Sequence, residues 1–129
     1  MSYKALKYKR KKSELEEFIA IEAIPAFKEI MKILQRKGKE VVLNISNKYV
    51  VMTVKDKGSE IFGFKIIPRI SYESIYPLGV AVYPKKNGTK DEEIVALRNT
   101  SKNEIVRKIL NRYKYYSKII SKSFSHPHQ

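Results

Sequence analysis

The apolar residues of this chain change period twice along its 129 positions, and that switch constrains the fold more than any other feature. From Ser13 to Lys37 they recur at helical spacing. Leu15, Phe18, Ile19, Ala23, Ala26, Phe27, Ile30, Ile33 and Leu34 share roughly half of the cylinder at about 100° per residue. From residue 40 the period falls to two. EVVLNIS, YVVMTVK, IFGFKII and LGVAVY read as strands, with turn signals at Asn47-Lys48, Asp56-Lys57-Gly58-Ser59 and Lys85-Lys86-Asn87-Gly88. After Ser101 the helical period returns, and Ile105, Val106, Ile109, Leu110, Tyr113, Tyr116 and Ile120 span about 140°. Helix, hairpins and helix predict an α+β domain: an N-terminal helix, an antiparallel sheet of four or five strands and a C-terminal basic helix.

Local signals refine the outline. Ser13 and Glu16, then Ser101 and Glu104, have the spacing of capping boxes, and Gly38 is placed to stop the first helix. Pro25 lies inside the first helical pattern and predicts a kink or a split. Pro68 ends the third strand or bends it, and residues 92–98 fit either a fifth, edge strand or a helical turn. Ile21, Ile24 and Met31 fall outside the apolar arc of the first helix, which predicts a second partner surface and motivates a homodimer. Residues 1–12 read as a flexible basic arm, 13–124 as one domain and 125–129 as a polar tail.

Strand alternation sorts the sheet into two faces. Val41, Leu43 and Ile45, then Val50, Met52 and Val54, then Phe62, Phe64 and Ile66 make a core face. The opposite face is expected to mix Tyr49, Thr53, Lys55, Lys65, Arg69 and Tyr83. On the last helix, Tyr113 and Tyr116 belong to the buried stripe. Arg107, Lys108, Arg112, Lys114, Lys118 and Lys122 hold the far side, with Tyr115 among them.

Charge says what such surfaces attract. The net charge is +14, and it is gathered at the two ends. Residues 1–12 carry six bases and no acid, and residues 101–129 carry seven bases and one acid. A directed positive field of this kind attracts polyanions. Tyrosine set among lysines adds a stacking surface, so the expected ligand is a nucleic acid. The candidate contacts are Lys9, Arg10, Lys11 and Lys12 on the arm, Tyr49, Lys65, Arg69 and Tyr83 on the sheet, and Arg107, Lys108, Arg112, Lys114, Tyr115, Lys118 and Lys122 on the last helix.

Other classes find less footing. There is no cysteine, so disulfide scaffolds, thiolate metal sites and cysteine nucleophiles are excluded. No phosphate-binding glycine loop, GxSxG or HExxH occurs. Asp91, Glu92 and Glu93 are adjacent and do not converge on one metal, and a nuclease built from Glu60, Glu73 and Asp91 has no spacing in its favour. His126 and His128 lie in the tail without rigid support. The expectation is therefore no enzyme, no cofactor and no metal. No stretch approaches the roughly 18 apolar residues of a membrane span, and no secretory signal core follows the basic start. An intracellular setting without a membrane partner is expected. Two roles for such a surface are a duplex-DNA-binding transcription regulator and a structural or assembly protein that coats nucleic acid.

The lysine-, isoleucine- and tyrosine-rich, cysteine-free composition resembles that of proteins from hyperthermophilic archaea and their viruses. With MSYKALKYKRKK at one end and SKNEIVRKILNRYKYYSKIISK at the other, the size and element order are similar to the small single-stranded-DNA-binding proteins of crenarchaeal rod-shaped viruses. The resemblance covers the whole chain in outline and rests on no diagnostic motif. It implies a homodimer, a fold unlike an OB barrel, sequence-tolerant binding of single-stranded DNA and a location in the host cytoplasm.

Overall fold

The first helix begins in full turn by residue 12 and is interrupted only where its proline demands it. The computed structural model describes residues 12–72 and 74–125, with side chains up to Ile119. Helix α1 covers residues 12–36: α-helix at 12–18, a π-helical turn at Ile19–Ala23 and α-helix again at Ile24–Arg36. Pro25 has no N–H to give and its ring crowds the carbonyl one turn back. The wider π turn immediately before it absorbs that crowding, so the helix neither breaks nor splits. Ser13 lies within the helix, not at its cap, because residue 12 is already helical. At the other end Gly38 adopts φ +83, Gly38 N–H donates to Gln35 O and Lys39 N–H donates to Leu34 O. That is the expected glycine stop, satisfying the last carbonyls.

Five strands follow: β1 (Glu40–Ile45), β2 (Val50–Asp56), β3 (Ser59–Ser71), β4 (Ser74–Pro84) and β5 (Lys90–Ala96). They pair antiparallel in sequence order, forming a meander whose edges β1 and β5 stay apart, so the sheet is open. Residues 92–98 are thus mainly edge strand. Pro68 does not end β3. It pairs with Pro77 across the hairpin, and β3 and β4 run on together beyond both neighbours. Helix α2 (Lys102–Ser125) closes the chain. Its capping box forms as read: Glu104 N–H donates to Ser101 Oγ and Ser101 N–H donates to Glu104 Oε1. A second carboxylate, Glu22 in the π turn of α1, accepts the Lys102 N–H. Both acids suit the positive end of the helix dipole.

The two helices lie side by side on one face of the sheet, α1 over β1 and β2, α2 over β3 and β4. The three apolar rows expected to face them do so, with Val50, Val54, Phe64 and Ile66 wholly buried. Phe27 meets Phe64 edge-on at 6.1 Å, and Phe62 meets Tyr113 at 5.5 Å. Ile24 and Met31 pack against this core, which leaves only Ile21 of the three surplus residues on α1 largely exposed.

One face assignment is reversed. Phe64 pairs with Ala81, so Gly79, Ala81 and Tyr83 point toward the helices. Leu78, Val80 and Val82 point to the open side. Tyr83 therefore lies on the helix side, its ring 5.9 Å from Phe62. The open face is more apolar than the mixed face expected: Val42, Val51, Ile67, Leu78, Val80, Val82 and Ile94 share it with the ion pair of Lys65 and Glu92. Among the described residues no helix is long and apolar enough to cross a membrane.

Candidate nucleic-acid interface

Helix α2 presents two unlike flanks, with one tyrosine between them. At about 100° per residue, Lys114, Arg107, Lys118 and Asn111 fall in that order within an arc of about 60°. Tyr115 comes next, then Ile119 and Arg112, then Tyr116 against the sheet. The first flank is a basic row. Arg107, Lys114 and Lys118 are exposed, and none has an ion-pair partner among the described residues. The row runs about 16 Å along the helix at about 1.5 Å per residue. Lys114 and Lys118 are four apart, a like-charge spacing that costs an isolated helix about 0.2–0.5 kcal/mol.

Several cations of the sheet and turns are matched. Lys39 pairs with Asp56 at 3.2 Å, Lys65 with Glu92 at 3.1 Å, Lys85 with Asp91 at 3.0 Å, Lys90 with Glu60 at 2.9 Å and Lys102 with Glu29 at 3.4 Å. Asp56, Glu60, Asp91 and Glu92 are thus spent on neighbouring lysines, and the outer row of α2 is one of the places where cations stay without an acid among the described residues.

The second flank overhangs a cavity of about 480 Å³. Tyr115 and Ile119 form its helix wall, Tyr83 and Tyr116 its floor, and Asp91 and Glu93 of β5 the facing wall. Tyr83 and Tyr116 stack with ring centres 4.9 Å apart, tilted by 44°. Their hydroxyls are committed: Tyr83 donates to Glu93 Oε1 at 2.5 Å, and Tyr116 donates to Pro84 O. Burial, then the bond to Glu93, raises the Tyr83 phenol well above its ordinary pKa. Burial and Asp91 raise that of Tyr116. Both remain neutral donors. Arg112 stands at one end, its Nε 3.3 Å from Glu93 Oε1 and its Nη1 donating to Lys108 O at 3.1 Å.

Of the residues singled out in the sequence, α2 brings together Arg107, Lys108, Arg112, Lys114, Tyr115 and Lys118, and the cavity adds Tyr83. Lys108 falls between Tyr115 and Ile119 around the helix and reaches over to β5, donating to Ala96 O at 2.8 Å. Lys65 is on the open face, while Tyr49 sits at the β1–β2 turn and Arg69 on the projecting hairpin; none of them joins the α2 surface. Lys12 lies in the first turn of α1. Lys9, Arg10 and Lys11, and the Lys122 side chain, are outside the described residues.

Sequence reasoning missed Asp91, Glu93, Asn111 and Ile119 as parts of the site. Period-two alternation does place Asp91 and Glu93 on one face of a strand. Nothing local indicates that this strand lies beside α2. Among the described residues, no group of three His, Cys, Asp or Glu side chains could hold a metal ion. Compared with protein-family models, curated proteins and solved structures, the chain matches none.

Proposed function

We propose that the protein binds single-stranded nucleic acid, DNA in the first instance, along the solvent face of α2 and without reading a defined sequence. One observation carries this: Tyr115, 68% exposed, stands beside three cations that have no acid to pair with among the described residues. Lysine and arginine hold phosphates at any sequence, and an exposed aromatic ring accepts any base face. The outline's resemblance to viral single-stranded-DNA-binding proteins leads to the same function. Replacing Tyr115 by Ala should weaken binding of a short oligothymidine by about 1–3 kcal/mol. Unchanged affinity in a folded variant removes the tyrosine from the interface.

A duplex reader is the second reading, favoured by the β3–β4 hairpin. Residues 67–72 and 74–77 extend past the pairing of β2 and β5, with Arg69 and Ile70 exposed and Tyr72 fully so. A two-stranded ribbon of this kind fits a duplex groove. Protection of one defined sequence in a footprint would put it ahead.

We further propose a homodimer, with the second copy seated on the open face of the sheet. Ile94 and Val42 stay exposed there, and the charges beside them, Lys65 with Glu92 and Lys90 with Glu60, are already paired. An apolar, locally neutral face is complementary to itself. Five strands about 4.8 Å apart and about 20 Å long offer about 480 Å² per copy. Two copies then bury about 1,000 Å², the lower bound for a specific interface.

A further inference from the structure

We propose that the cavity beside Tyr115 receives a nucleobase bearing an exocyclic amino group (cytosine, adenine or guanine) from a strand whose phosphates lie on the outer row of α2. This rests on the strand binding proposed above and adds to it a preference by base.

The site is placed for it. Tyr115 separates the basic row from the cavity, so a strand held by Arg107, Lys114 and Lys118 passes the tyrosine ring before a base can turn inward. Tyr115 and Ile119, 43% exposed, offer apolar surface at the mouth. The floor is firm, because Tyr83 is held against Phe62 in the core and Tyr116 against Tyr83. A volume of about 480 Å³ takes a base with part of its sugar and falls within the usual range of ligand pockets.

Charge selects the occupant. Two carboxylates on the far wall repel a phosphate, and Arg112 at the end repels a cation. What remains is a neutral flat ring with hydrogen-bond donors on its edge. The wall can accept them. The bond from Tyr83 and the ion pair with Arg112 both use Glu93 Oε1, which leaves Oε2; the ion pair of Asp91 uses Oδ2, which leaves Oδ1. Amino groups of cytosine, adenine and guanine donate to carboxylates. Thymine instead turns two carbonyls on either side of a single N–H toward the same oxygens. The consequence is a compositional preference, with no ordered sequence read.

The test measures wild-type binding by fluorescence anisotropy with labelled strands of equal length: all cytosine, all thymine, and abasic. The cytosine strand should bind about tenfold tighter than the thymine strand, as expected for one charge-assisted hydrogen bond. The abasic strand should be weakest, and all three should share one salt slope because their phosphates are the same. Glu93→Gln should bring the cytosine-to-thymine affinity ratio to within about threefold, whatever common shift the lost negative charge gives both strands. Should that variant not fold, Ile119→Ala at the exposed mouth should lower cytosine affinity several-fold. Equal binding of all three strands would overturn the base pocket and leave the basic row standing. Failure of every strand to bind would overturn both. Displacement of the cytosine strand by micromolar cytidine monophosphate would overturn the assignment to a strand, because the free nucleotide would then be the ligand.

Discussion

Tyr83 joins the core to the candidate site. Its ring packs on Phe62 inside the domain and on Tyr116 at the cavity floor, while its hydroxyl donates to Glu93. Burial first, and the carboxylate second, raise its pKa above the ordinary 10.0. A raised phenol pKa favours the neutral form in the fold. The stabilisation is therefore complete below pH 10.0 and is lost as pH climbs from there toward the raised value. Melting temperature should fall more steeply above about pH 10 in the wild type than in Tyr83→Phe, which has no proton to lose. Identical slopes would mean the hydroxyl contributes nothing. The inward position of Tyr83 was not legible in the sequence. Leu78, Val80 and Val82 are the more apolar row and are expected to be buried. That row turns to the open side instead, although Val80 is only 5% exposed there, because Leu97 presses on the backbone of β4: a Cβ on Gly79 would stand 2.6 Å from Leu97 Cδ1. Only a row of small residues fits there, and that proximity depends on the end of β5, distant in sequence.

Helix α2 was the most legible element. Its capping box and the described part of its buried stripe follow from spacing alone and are in place, while of the expected basic side Arg107, Lys114 and Lys118 stand exposed and Lys108 and Arg112 turn to β5. What spacing could not supply was which bases find acids. Arg112 meets Glu93 across a tertiary contact, while Arg107, Lys114 and Lys118 meet none among the described residues. That distinction carries a prediction. Each phosphate neutralised on a single strand contributes about 0.7 to the salt slope. Changing Arg107, Lys114 and Lys118 together to Gln should flatten the slope by about 2, measured as log affinity against log salt. A slope that does not move would place the phosphates elsewhere. In α1 the proline signal was read correctly as a disturbance, but its form was not foreseen. A π turn accommodates the ring with less disruption than a break, and the apolar stripe of Ile19, Ala23, Ala26 and Phe27 stays aimed at the sheet across it.

For the whole molecule, both helices cover the same face, which leaves a five-stranded sheet half clothed. The sequence indicated the layers and the antiparallel pairing, since each turn carries its own chemistry; Lys57 and Gly58, for example, both adopt positive φ between paired Asp56 and Ser59. It misplaced the surplus apolar surface, assigning to α1 what lies on the open sheet. If two copies stack there, Ile94→Lys should turn a dimer into a monomer in a sedimentation series while the fold is retained. A wild type that stays monomeric at high concentration would end the proposal. A dimer of this form leaves both α2 helices facing outward and available, so single-strand binding should survive the same substitution. The central claim is that charge and an aromatic ring on α2 act together on a single strand. Anisotropy of labelled oligothymidine against a duplex of equal length, from low to high salt, tests it most directly. Tighter binding of the single strand, with a preference that persists at high salt, is the predicted result. Equal or tighter binding of the duplex, with all affinity lost to salt, would contradict it.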